Sequence, residues 1–463
     1  MSRKKFLPFI AALFSFALIA SACNTEDPPA GGDSEPAASD TDTGAAPAGE
    51  ACGAEIISAA GAGGTAAAGT AELVRARLAG AAQAGDTVKI AYQGPITGDY
   101  QALGENMVRG VQVAIEELNA SGELDVTLEL LELDSQADPA QAPALANQAA
   151  ADPAVIAVVG PTFSGESAAS GPIYEEAGLP FISPSATGTD LATNGWKFWF
   201  RTVATDAVQG PAAAQFIAEN LGATKVAIID DASEFGLGLA NQVETSLTDA
   251  GVEIVAREGI EAGGTDFSTV VGTVVQSGAE AVFFGGYYPE AGLLRKQLVE
   301  NGGEDITFVS DDGTFDPEFI NIAGADEAEG CFVTFPGSDP SAVSEEFRTA
   351  FADATGGEEP GAYSVEAYQV ALLIGEALKS GATDRQGVRD FVADFDGEIF
   401  GKHIQFLPTG DSAEQTFYVY QVQGGEWKQV AEIQGDSGAG GTTGEPTEAE
   451  SPSETASPSE TES

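Results

Sequence analysis

The stretch that decides the fold is Val158 to Thr187, VVGPTFSGESAASGPIYEEAGLPFISPSAT. An apolar strand, Val155 to Val159, runs into a Gly-Pro turn and Ser164. A helix-like segment follows, and a second strand, Leu179 to Ile182, runs into Ser183, Ser185 and Thr187. Two strand-to-loop transitions ending in small hydroxyls predict a polar crevice at the carboxyl edge of an open α/β sheet. Ligands sit there because hydroxyls and free helix N-terminal N–H groups converge. The same residue types also cap helices and turns, so this stretch alone leaves both uses open.

The alternation extends in both directions. Upstream, TVKIAYQ from Thr87 predicts a strand. Leu103 to Ala120 places Met107, Val108, Val111, Ala114, Ile115 and Leu118 on one helical face, and Val126 to Leu133 returns to strand. Pro139 to Ala151 predicts the next helix. After Phe198 to Arg201 a fresh series begins, with helices at 208–221, 234–250, 266–276 and 289–301 interleaved with strands at 225–229, 252–257, 281–284 and 306–310. Strands separated by such helices mean parallel βαβ units, enough here for two doubly wound sheets. Helices at 343–355, 363–380 and 384–395 suggest that the chain then crosses back to complete the first body. Strands at 402–407, 416–421 and 427–433 end this part of the chain.

The ends differ in composition. Ser2-Arg3-Lys4-Lys5 and the apolar run Phe6 to Ala20 predict an export signal. It closes on Ile19-Ala20-Ser21-Ala22-Cys23, which resembles the bacterial lipobox with Ala20 where leucine is usual; lipidation of Cys23 is the expectation, and simple cleavage near Ala22 the other outcome. Residues 24–86 are rich in Gly, Ala and acids and are expected to form a disordered tether, with a short helix at Glu72 to Ala84; residues 434–463 are expected to be a disordered acidic tail.

The chain has 463 residues, 19 basic against 72 acidic, for a net charge of −53. Residues 1–23 carry +3, residues 24–86 carry −8 and residues 435–463 carry −7, so residues 87–434 keep −41. Nucleic acid is disfavoured as a partner, since no basic face exists to neutralise phosphates. Self-repulsion of this size predicts adaptation to a saline exterior. Cys23, Cys52 and Cys331 make no disulfide framework, although a Cys52 to Cys331 bridge stays open. His403 is the only histidine and has no visible companions for a triad or a zinc site.

Five segments carry a family resemblance in order and spacing: VKIAYQGPITGDY; GPTFSGES with FISPSATGTDL; FRTVATDAVQGPAAAQFI; VFFGGYYPEAGLLRKQ; and FVSDDGTF. They resemble the leucine/isoleucine/valine-binding proteins of ABC importers across residues 87–433. The resemblance implies a type I periplasmic-binding fold, two α/β lobes joined by three crossovers that close on a ligand. Lobe 1 would be 87–205 with 336–404, and lobe 2 would be 206–335 with 405–433. It implies that Ser164 holds the ligand carboxylate. Ser185, Ala186 and Thr187 would serve the amino and carboxylate groups through a carbonyl, an N–H and a hydroxyl. Tyr287 and Asp312 would come from the second lobe, Asp312 meeting the ammonium. Asp312 stands where the family usually has glutamate, an arm shorter by one methylene, which leaves the amine contact open between weaker, water-bridged and replaced by another ligand group. Phe235 keeps an aromatic ring of the family but lacks its hydroxyl. Ala137 and Phe163 replace two cysteines that pair in some relatives. Phe163, Tyr287 and Tyr363 could wall a side-chain pocket or simply pack in the core.

The expected function is a reversible clamp that delivers an amino acid to an ABC permease and its ATPase. It would be a monomer on the extracytoplasmic face, anchored through Cys23, with no catalysis, cofactor or metal. A sensor of the same fold that binds an amide or small carboxylate is the alternative. An enzyme would have to use Ser164-Gly165-Glu166-Ser167 as a nucleophile site or Asp311, Asp312 and Asp316 as a metal site. The elbow spacing, the base and calcium-loop spacing are all missing.

Overall fold

The computed structural model describes residues 82–337, 339–340 and 343–434. The export signal, Cys23, Cys52, nearly all of the tether and the acidic tail from 435 onwards lie outside the described residues. Residues 82–86, read as the end of a helix and tether, are a turn held to the body. The Ala82 N–H donates to the Thr383 carbonyl at 2.5 Å and the Gly85 N–H to that of Asp125 at 2.7 Å.

The first sheet has the order β2-β1-β3-β4-β5 and is parallel throughout. Its strands are β1 (Thr87–Gly94), β2 (Thr127–Asp134), β3 (Val155–Val159), β4 (Phe181–Ser183) and β5 (Trp199–Arg201). The intervening helices are α1 (Gln101–Ser121), α2 (Ala142–Ala151) and α3 (Ser164–Ala177). Strand β1 is buried on both faces: Ile90 and Tyr92 join one apolar cluster and Ala91 the other. This is what helices on both sides of a parallel sheet require.

The second sheet has the order β14-β13-β10-β9-β8-β6-β7. Helix α4 (Asp206–Gln215), prolonged by a π-turn over 216–220, leads to β6 (Lys225–Asp230), α5 (Glu234–Asp249), β7 (Glu253–Gly259), α6 (Ser268–Ser277) and β8 (Ala281–Gly285). Then come α7 (Tyr288–Glu300), β9 (Thr307–Ser310), α8 (Pro317–Ala323), α9 (Ala325–Ala328) and β10 (Phe332–Phe335). Strands β6 to β10 pair in parallel, whereas β13 (Thr416–Gln423) and β14 (Glu426–Gln434) pair antiparallel at the edge.

Between β10 and β13 the chain returns to the first body. It forms α10 (Glu345–Thr355), α11 (Ser364–Lys379), α12 (Arg385–Ala393) and the hairpin β11 (Asp396–Ile399) with β12 (Lys402–Gln405). Helix α11 packs on α1 so closely that a Cβ at Gly110 would stand 2.2 Å from the Ser364 carbonyl oxygen. The chain therefore passes between the bodies after β5, after β10 and before β13. These are the three crossovers of a two-lobed α/β fold. Cys331 is a free, buried thiol beside Arg295.

Candidate ligand-binding site

Strand ends from both sheets converge on one cavity. Ser164 opens α3, and its Oγ accepts a hydrogen bond from the Gly188 N–H at 3.1 Å. With that lone pair used, the hydroxyl proton is available to donate. The unpaired N–H groups of the first helical turn add partial positive charge beside it, so this corner suits an anion. Gly188 lies tightly against this hydroxyl, since a Cβ there would stand 3.0 Å from Ser164 Oγ and 3.1 Å from its Cβ.

Ser185 has the opposite polarity. Its hydroxyl donates to the Thr162 carbonyl at 2.7 Å, which leaves its lone pairs as acceptors. Neighbouring Ala186 turns its carbonyl to the buried Arg201, whose Nη1 donates to it at 3.0 Å and to the Gly188 carbonyl at 2.9 Å; Arg201 Nε in turn donates to Asp411 at 2.7 Å. Arg201 thereby ties the 186–188 loop to the segment before β13. Its charge is taken by Asp411, and it offers the cavity no cation.

Asp312 sits on the opposing side, in the turn after β9. Its Oδ1 accepts from Gln209 Nε2 at 2.7 Å and its Oδ2 from the Tyr363 hydroxyl at 2.5 Å. Burial lifts the carboxyls of both Asp311 and Asp312 above the ordinary range, and the donors on Asp312 pull its value part of the way back. Asp206, at the start of α4, is pushed up to about 8 by burial and then by the charge of Asp312. Asp231 is pushed up to about 6, first by burial. Buried carboxyls with raised values favour a ligand that brings a cation, because its charge restores their ionised form.

Between the two polar ends the walls are apolar. Phe163 and Tyr287 stack with ring centroids 4.4 Å apart and 10° between planes, and Phe235 tilts against Tyr287 at 5.4 Å. Leu103 and Met107 of α1 and Gly313 complete the cavity. Gly313 cannot carry a side chain there, since a Cβ would stand 2.5 Å from the Gly286 carbonyl oxygen and 2.9 Å from the Tyr287 ring.

Seven residues expected from the sequence therefore meet at one cavity: Phe163, Ser164, Ser185, Phe235, Tyr287, Asp312 and Tyr363. Ala186 and Thr187 are buried but do not line it. Thr187 Oγ1 and Asp206 Oδ1 have no hydrogen-bond partner of ordinary geometry, although the Thr187 hydroxyl lies near enough to ease the Asp206 carboxyl downwards. The sequence reading missed Leu103, Thr162, Gly313 and Gln209 and counted Met107 as core. The apolar pair lies on the buried face of α1, and periodicity does not separate cavity wall from core. Gln209 is marked only by its nearness in space to Asp312.

Residues 87–426 match the family described as periplasmic binding protein. A leucine-, isoleucine-, valine-, threonine- and alanine-binding protein of Pseudomonas aeruginosa is 33% identical over 347 residues, which is 73% of this chain and 91% of that protein. The branched-chain amino acid transporter substrate-binding protein LivJ of Streptococcus pneumoniae, solved with isoleucine, superposes with a TM-score of 0.68 at 30% identity. That alignment covers 75% of this chain and 98% of LivJ. The leucine-binding protein LivK of Thermotoga maritima gives a TM-score of 0.68 at 28% identity, covering 75% and 99%. The family match runs from the first strand of one sheet to the last strand of the other, and the chain belongs to the periplasmic binding proteins.

Proposed function

We propose that the cavity captures an amino acid of the branched-chain type and that the protein delivers it to an ABC permease. The observation that carries this reading is the order of chemistry across the cavity. A hydroxyl at a helix N-terminus lies at one end, a buried carboxylate at the other, and apolar and aromatic walls stand between. A zwitterion with an uncharged side chain complements all three. The names of its relatives, which bind leucine, isoleucine and valine, point the same way. The two ends of the ligand would be held by residues of different lobes, 87–205 with 336–404 and 206–335 with 405–433. Only the closed form makes both sets of contacts, so the ligand selects closure. The chemistry we propose for the cavity is binding, in keeping with relatives that are named as binding proteins.

Calorimetric titration of the full chain tests this. L-isoleucine, L-leucine and L-valine should bind, while lysine, glutamate and an N-acetylated isoleucine should bind at least tenfold more weakly. Equal affinity for the N-acetylated compound would remove the ammonium role of Asp312, and no binding of any branched-chain amino acid would overturn the reading. We further propose a monomer anchored on the extracytoplasmic face through a lipid on Cys23. Cys23→Ser should then release the protein from the membrane fraction.

A further inference from the structure

The lobes also meet outside the cavity, through a pair of reciprocal hydrogen bonds that need no ligand. The Tyr100 hydroxyl, in the loop after β1, donates to Glu290 Oε1 at 3.0 Å in the first turn of α7. In the other direction the Tyr288 hydroxyl donates to the Asp99 carbonyl at 2.6 Å. Two adjacent residues of one lobe thus face two residues of one helical turn of the other, each side giving one tyrosine donor and one acceptor.

Three features make this junction more than a chance surface contact. Glu290 is only 1% exposed, and its Oε1 also accepts from the Gly263 N–H at 2.7 Å, which pins the 260–267 loop to the same point. The Tyr100 ring packs edge-on against both Tyr287, at 5.1 Å, and Phe163, at 5.9 Å. It therefore covers the aromatic pair that walls the cavity without lining the cavity itself. Burial also raises the Glu290 carboxyl, with Asp99 adding to the rise, so this acid is costly to bury and is held at the junction by its hydrogen bonds from Gly263 and Tyr100.

We propose that the Tyr100–Glu290 and Tyr288–Asp99 pairs form a latch that sets how long any ligand stays bound, making these residues determinants of affinity that never touch the ligand. The proposal rests on the two-lobed binding reading above. Contacts made only in the closed form favour closure whatever ligand is inside, and they act on dissociation rather than on the first encounter. A typical hydrogen bond corresponds to a factor of about 2 to 10 in such an equilibrium. The two together should lengthen residence by about tenfold.

The experiment uses the full chain with Tyr100→Phe, Tyr288→Phe and the double variant, which keep the rings and remove only the hydroxyls. In the ligand-free protein, hydrogen exchange followed by mass spectrometry should quicken severalfold over 95–101 and 260–265 in the double variant. Stopped-flow measurement with L-isoleucine should show dissociation faster by about threefold in each single variant and about tenfold in the double. Association should change by less than twofold. Unchanged exchange and unchanged dissociation in the double variant would overturn the latch. If the wild type does not bind L-isoleucine, the functional reading fails, and exchange in the ligand-free chain decides the latch by itself.

Discussion

Ser164 and Ser185 are the same residue type put to opposite uses, and the difference is set by one backbone partner each. The Gly188 N–H fills a lone pair of Ser164 and frees its proton, while the Thr162 carbonyl takes the proton of Ser185 and frees its lone pairs. A carboxylate is therefore expected at the first and a donor at the second. Replacing Ser164 by alanine removes a hydrogen bond to a charged group, worth about 1.5–3 kcal/mol, and should weaken L-isoleucine by roughly tenfold to a hundredfold in calorimetry. An unchanged Kd would mean that the carboxylate sits elsewhere. Much of this was legible in the sequence, because a Gly-Pro turn followed by small hydroxyls is a local signal. Gln209, Tyr100 and Glu290 were not, since their roles come from partners 103 and 190 residues away.

At the scale of the element, α3 poses a question of charge. Glu166 lies in its first turn, wholly buried, accepting from the Ser135 hydroxyl at 2.6 Å, and burial pushes its carboxyl up to about 8 against that hydrogen bond and one from the Phe163 N–H. A neutral Glu166 leaves the field of the helix N-terminus to a ligand carboxylate instead of competing for it. The raised value also has a thermodynamic sign. The folded state holds this proton over a range where the unfolded chain has lost it, so the stabilisation is complete below about 4.5 and declines as pH rises towards about 8. Glu166→Gln keeps the acceptor and stays neutral. Urea unfolding at pH 5 and pH 8 should therefore show the wild type losing more stability than the variant, by about 1–4 kcal/mol at up to about 1.4 kcal/mol per pH unit. Parallel losses in the two proteins would show that Glu166 does not carry the linkage. The helices that form this frame were readable as periodic runs and most strands as short apolar ones between them, β4 and β9 being only 3 and 4 residues long. Strand β10, with a threonine inside its apolar run, and the 7-residue helix α8 were not. Strand β11 escaped for another reason: it is half-exposed, with little apolar pattern.

For the whole molecule the dominant quantity is charge. The two sheets bury nearly continuous apolar strands such as VIAVV in β3 and AVFFG in β8, so hydrophobic burial holds each lobe together. Against it stands a net −53, with only 19 basic residues to offset 72 acids. Several of these cations are already committed to internal bridges, including Arg201 to Asp411, Arg257 to Asp230 and Lys89 to Asp152. Most acids therefore repel one another across the surface, a force that spans a Debye length of about 30 Å at 0.01 M salt and about 3 Å at 1 M. The unfolded chain spreads the same charge over a larger volume, so screening should favour the folded form more. We predict that the melting temperature of the ligand-free protein rises by several degrees between 0.01 M and 1 M sodium chloride. Potassium chloride should do the same, since screening depends on ionic strength and not on the cation. A melting temperature that is flat or falls over this range would mean that the acidic surface is not held in check by salt, and the proposed adaptation to a saline exterior would fall with it.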